Sequence, residues 1–150
     1  MKQHAHKIGA VFYALWGILH VLSGIGFLYG ISKAGAAGAI GLLGNPDNVI
    51  PQNFTGVALG LLTQHSWNLV IAGLFAFAIA VTMNWRNSRL GYWLNLYVIG
   101  AFDLAFIFAV VLPGYTSVMT GWLGPALWVL GAVFSTIGLY SGARTTAYAV

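Results

Sequence analysis

The stretch Tyr92–Leu112, YWLNLYVIGAFDLAFIFAVVL, decides the fold: apart from Asn95 and Asp103 it offers nothing that prefers water. It has about the 20 residues a helix needs to cross a ~30 Å hydrocarbon core. Asp103 stands near its middle, where a carboxylate is costly unless it is paired, protonated or turned to the protein interior. The chain has one other acidic residue, Asp47, and no Glu. A lone intramembrane carboxylate in so acid-poor a chain is the first candidate for function.

Outward from this run, three more apolar segments have the same length: Ile8–Ile31, about Leu62–Met83, and Trp122–Tyr140. The 150 residues are 59% hydrophobic and 5% charged, with a mean hydropathy of +0.85. Soluble domains carry roughly 25% charged residues, so the solvent of this surface is lipid. Backbone groups in lipid must be satisfied within the chain, and β-barrel alternation is absent, which leaves helices. The expected fold is all-α: one integral membrane domain over residues 1–150, a four-helix transmembrane bundle running up-down-up-down.

Cation placement sets the orientation. Lys2 and Lys7 precede the first span, Arg86 and Arg89 fill the short second loop, and Arg144 follows the fourth span, leaving Lys33 alone on the other side. The positive-inside rule puts both termini in the cytoplasm. Asn84–Arg89 reads as a tight turn, making the second and third spans antiparallel neighbours. Trp85, Tyr92 and Trp93 belong at the cytoplasmic interface and Tyr29, Tyr115 and Trp122 at the outer one, the usual aromatic belts.

The first span has a competing reading as a signal peptide, with Ala34-Gly35-Ala36 as a small-residue cleavage site. Its apolar run is longer than the 7–15 residues of an h-region, which favours a retained anchor. Residues 32–61 form the long outer loop, dense in Gly35, Gly38, Gly41, Gly44, Pro46 and Pro51, which argues against a single long helix there. It reads as a loop on the membrane surface with a short interfacial helix, or as a lid over a cavity. Asn53-Phe54-Thr55 matches a glycosylation sequon of low specificity.

The positive charge is dispersed, so the clustered basic face of a nucleic-acid binder is missing. Without cysteine there is no disulfide, thiolate metal site or thiol redox chemistry. His4 and His6 form a His-x-His pair with no third ligand beside it, so no metal site is expected.

Chemistry concentrates in the spans. At about 1.5 Å per residue, His20 and Asp103 each stand about 17–18 Å from the cytoplasmic end of their span. This shared depth predicts an intramembrane His–Asp contact, direct or through one water. Tyr13, Trp16, Gly17, Ser23, Gly24 and Phe27 share the His20 stripe, and Leu96, Ile99, Gly100 and Phe106 that of Asp103. Asn95 lies on the same side, about two turns below the carboxylate. The pair reads either as a polar clamp between helices, a usual membrane glue, or as a ligand-binding or proton-linked site lined by Trp16 and Trp128.

His65 and Asn68 share a face of the second span, His65 about 28 Å from its cytoplasmic end. It reads as a wet interfacial histidine or a ligand. Two membrane histidines raise haem b, but His20 and His65 differ by about 10 Å in depth on straight helices. Small residues at i, i+4 spacing (Gly26 and Gly30; Ala72, Ala76 and Ala80; Gly131 and Ser135; Gly138 and Gly142) let helices approach closely. They serve packing within the chain, homo-oligomerisation or docking to a larger membrane complex.

The run Leu15-Trp16-Gly17-Ile18-Leu19-His20 through Ser23-Gly24-Ile25-Gly26 resembles the start of DoxX-like four-helix bacterial membrane proteins, which also have glycine-rich first helices and cytoplasmic termini. The resemblance implies a bacterial inner-membrane accessory or quinone-linked subunit and transfers no functional residue. Three functions therefore stand: a self-assembling or accessory subunit of a membrane complex, a redox or enzyme subunit binding quinone, haem or a lipidic substrate, and a proton-linked small transporter or channel. The last lacks the interrupted helices and repeated halves common in transporters.

Overall fold

The computed structural model describes residues 4–43 and 55–147. Lys2, Asp47, the two prolines of the outer loop and the Asn53 sequon lie outside them. Four helices are long and apolar enough to cross a membrane. They are α1 (Ala5–Ile40), α2 (Val57–Thr82), the composite third span α3 (Arg89–Val111), and α4 (Val118–Ala147). The described residues contain no strand, and the expected all-α bundle of four spans is what the chain forms.

The bundle is inside-out relative to a water-soluble protein. Val11, Leu15, Ile18, Leu22 and Ile25 run down an exposed apolar face of α1, while Ser66, Asn84, Asn95, Asp103 and Ser135 are buried. With lipid outside, burying apolar area gives no net drive, so close packing and buried polar contacts hold the helices together.

Glycine sets that packing. A Cβ on Gly17 would stand 2.6 Å from the carbonyl oxygen of Gly73, and one on Gly24 would stand 2.6 Å from that of Ser66. Thus α1 and α2 run antiparallel, backbone against backbone. On another face, α1 meets α4 in the same sense: His6 lies against Gly138, Gly9 against Ser135, Tyr13 against Gly131, and His20 against Gly124. Ala72, Ala76 and Ala80 are buried too. Most small-residue spacings legible in the sequence are therefore used inside the chain. The described ends of α1 and α4 lie on one side, as an even number of spans requires.

The turn at Asn84–Arg89 forms as expected. A 3₁₀ turn over Asn84–Arg86 is followed by Asn87 in left-handed conformation (φ 57°), and the Ser88 hydroxyl caps α3 by accepting from Gly91 N at 3.4 Å. Lys7 sits over the Trp85 ring at this end and Lys33 over Tyr29 at the other, with nitrogen-to-centroid distances of 5.5 and 5.4 Å. Cations thus rest on interfacial aromatic rings at both ends of α1.

The outer segment departs from the loop expected over 32–61. The helix of α1 breaks at Ala34 and Gly35, the latter at φ 60°, ψ −149°, which only glycine adopts without strain. The chain then resumes as helix to Ile40, ends in a 3₁₀ turn over Gly41–Leu43, and folds back along α1 with Gly38 packed on Gly30. The Leu43 carbonyl accepts from Thr116 Oγ1 at 2.7 Å, tying this hairpin to the loop between α3 and α4. Glycine density marked a sharp reversal with close packing here rather than an absence of helix. At the other end of the loop, α2 begins at Val57, earlier than the expected Leu62.

Candidate functional site

The third span carries the carboxylate on a helix of uneven pitch. π-Helical turns over Leu94–Ile99 and Ile107–Val111 flank the α-helical Gly100–Phe106 that contains Asp103. Such turns are frequent at functional sites because they re-aim side chains. Tyr92, Asn95, Ile99 and Asp103 form the buried stripe of α3. Ile99 packs with Trp16, Ala72 and Ala76 in the apolar centre of the bundle. Gly100 lets the Trp128 ring lie against the α3 backbone, where its indole nitrogen donates to Leu96 O at 3.2 Å.

Asp103 is 1% exposed. Its Oδ2 accepts the indole N–H of Trp16 at 2.8 Å, a bond from α1 to α3. This corrects the direct form of the expected His20–Asp103 contact: among the described residues the carboxylate's direct partner is Trp16, and His20 Nδ1 is engaged with the Trp16 carbonyl. The His20 ring stacks on the Trp16 indole with centroids 3.5 Å apart, and its Nδ1 lies 2.9 Å from the Trp16 carbonyl oxygen, one turn back. Nδ1 therefore donates to that carbonyl, which leaves the Nε2 edge of the ring towards Gly124 of α4.

The two groups nevertheless converge, at Gly124 of α4. A Cβ there would stand 3.2 Å from His20 Cε1, 3.7 Å from His20 Nε2 and 3.3 Å from Asp103 Oδ1. The imidazole and the carboxylate thus both pack towards the Gly124 backbone. Gly124 is followed by Pro125 inside the helix. Gly124 carries no chemistry that marks it in the sequence, and the signal it does leave is the Gly-Pro pair within a span.

The other sequence candidates lie apart. Asn95 is fully buried but bonds to Asn84, its Nδ2 donating to Asn84 Oδ1 at 2.9 Å, instead of facing Asp103. His65 and Asn68 are exposed on α2, outside the site. Asn68 rims an apolar groove of about 230 Å³ with Ile71, Ala72, Phe75, Val98 and Phe102. Haem b is not accommodated at His20 as it is packed, because Gly124 lies against the Nε2 edge of its ring, and His65 is exposed. No cluster of three metal-ligating His or Asp side chains occurs among the described residues.

The fold and site define a multi-pass α-helical membrane protein with a buried acid–imidazole centre. Comparison with family models, curated proteins and solved structures finds no match to this chain.

Proposed function

We propose that the chain is a small accessory subunit of a membrane complex that binds, at Asp103 and His20, the oxygen-bearing end of a lipid-soluble molecule. A quinone headgroup has the required chemistry, since its carbonyl accepts and its reduced hydroxyl donates. One observation carries this reading: Oδ1 of Asp103 and the imidazole of His20 both face Gly124 of α4. A purely structural clamp needs only the Trp16–Asp103 bond, and a leucine at position 20 would serve it as well. The DoxX-like resemblance of the first span points to the bacterial inner membrane and to a quinone-linked setting.

The test is binding of a short-chain quinone and its quinol to the purified protein, followed by tryptophan fluorescence. Six tryptophans are present, so Trp16→Phe identifies the reporter. Asp103→Asn is expected to weaken quinol binding by on the order of tenfold, the loss of about 1.4 kcal/mol. Equal affinity in wild type and Asp103→Asn, or no binding in either, rejects the reading.

A second reading, assembly with another copy of the chain, is favoured by Asn68. An amide that faces outward among apolar side chains gains from hydrogen bonding to a partner helix in the membrane. Asn68→Leu would shift a dimer to monomer in sedimentation experiments in detergent, and unchanged mass in the variant discards this role.

A further inference from the structure

The chain carries six Lys and Arg residues and two acids, Asp47 and Asp103. Asp103 is buried in mid-span against Trp16, and Asp47 falls in the sequence between α1 and α2, away from the termini. The end of the bundle that carries the termini therefore has five basic residues by sequence (Lys2, Lys7, Arg86, Arg89 and Arg144) and no acidic side chain. A surface of this sign attracts the anionic lipids of the leaflet it touches.

Cations that are dispersed in the sequence are gathered by the fold. Lys7 of α1 lies over the Trp85 ring, and Arg86 is the next residue along the turn. That turn is held from beneath. Asn84 is buried and accepts from Asn95 at 2.9 Å, Asn87 donates to the Gly138 carbonyl at 3.2 Å, and the Met83 carbonyl accepts from the backbone N–H groups of Arg86 and Ser88 at 3.1 and 3.0 Å. Asn84 and Asn87 thus face inward, while Arg86 and Arg89 are exposed. The one acid among the described residues, Asp103, stands about 21 Å along α3 from Arg89. Neither guanidinium has a carboxylate partner among those residues.

Deeper along α3 the strip turns aromatic. Trp93 follows Arg89 at i+4 and Tyr97 at i+8, and the two rings are stacked with centroids 5.3 Å apart and 11° between their planes. Tyr97 is 66% exposed, so the ladder is open to lipid. An occupant of this strip must put negative charge at the interface and an apolar chain about 6–12 Å deeper. A soluble acidic peptide meets the first demand and fails the second. We propose that Arg86 and Arg89, with the Trp93–Tyr97 ladder, bind an anionic phospholipid of the leaflet on the side of the termini. The phosphate sits against the guanidinium groups, whose planar fork of N–H donors matches phosphate oxygens. An acyl chain runs down Trp93 and Tyr97. The site is separate from Asp103 and uses none of its chemistry.

The experiment is quenching of tryptophan fluorescence in phosphatidylcholine vesicles that contain a lipid brominated in its acyl chain. Brominated phosphatidylglycerol is expected to quench more than brominated phosphatidylcholine at the same mole fraction, and Trp93→Phe to remove most of that excess. Each of Arg86→Gln and Arg89→Gln is expected to lower the preference for the anionic lipid by about fivefold, the attraction one juxtamembrane cation exerts. Both arginines are exposed, so the fold is kept, as helical circular dichroism checks. Lys33→Gln, at the opposite end of α1, should leave the preference unchanged. Equal quenching by the two lipids in wild type, or an undiminished preference in the double arginine variant, overturns the site. So does an excess that survives Trp93→Phe, which places the lipid elsewhere, or one lost equally in Lys33→Gln, which makes it a response to net charge.

Discussion

The indole N–H of Trp16 donates to Oδ2 of Asp103 across 2.8 Å and joins α1 to α3 inside the bundle. Both side chains are essentially unexposed, so the bond works without competition from water. Removing the donor leaves a buried carboxylate with one fewer partner, at a cost of about 1–3 kcal/mol. Trp16→Phe should therefore lower the melting temperature in detergent far more than Asp103→Asn, whose amide oxygen still accepts from the indole. A double-mutant cycle with Asp103→Leu should give a coupling of about 1 kcal/mol or more. Additive effects would mean that the bond carries no stability.

The α1–α2 contact predicts a contrast between glycines. Gly17→Ala places a Cβ 2.6 Å from the carbonyl oxygen of Gly73, which is backbone and cannot rotate away. The helices must separate, at about 1–3 kcal/mol for such overpacking. Gly60 lies in α2 with open space around it. Gly60→Ala should gain up to about 1 kcal/mol of helix propensity. Thermal scans of the two variants should move in opposite directions.

Gly35 isolates a backbone effect. Nothing lies within 4 Å of a Cβ built there, yet its φ of 60° with ψ of −149° belongs to glycine. Gly35→Ala should destabilise the reversal by about 1–3 kcal/mol through conformation alone. Protease sensitivity in the segment between Lys33 and Leu43 should rise while the four spans stay protected. Unchanged sensitivity would mean that the reversal does not depend on this conformation.

The spans and the turn at Asn84–Arg89 were legible because lipid imposes length and apolarity on any crossing helix. Asp103 was legible for the converse reason, being the residue that breaks that rule. The partner was misassigned because equal depth fixes height and not rotation. Trp16 lies one turn below His20, and the long indole reaches the carboxylate while the imidazole folds back on the Trp16 carbonyl. The α1 reversal was hidden because glycine density reads alike for a loose loop and for a tight helical hairpin. Gly124 was missed because a position that matters through the side chain it lacks leaves no residue to notice.

Gly124 also gives the sharpest test of the site. Gly124→Ala places a methyl 3.3 Å from Asp103 Oδ1 and 3.2 Å from His20 Cε1, so both side chains must give by a few tenths of an ångström. Binding of a ligand oxygen should fall by on the order of tenfold, about 1.4 kcal/mol, with at most a small drop in melting temperature. Gly124→Ser goes further, since it adds a hydroxyl beside Asp103 Oδ1 that can donate to it. A buried hydrogen bond contributes about 0.5–1.5 kcal/mol net, so this variant should melt higher than Gly124→Ala and bind no quinol. If Gly124→Ser binds quinol as wild type does, the contact at Gly124 is packing and the ligand, where there is one, sits elsewhere.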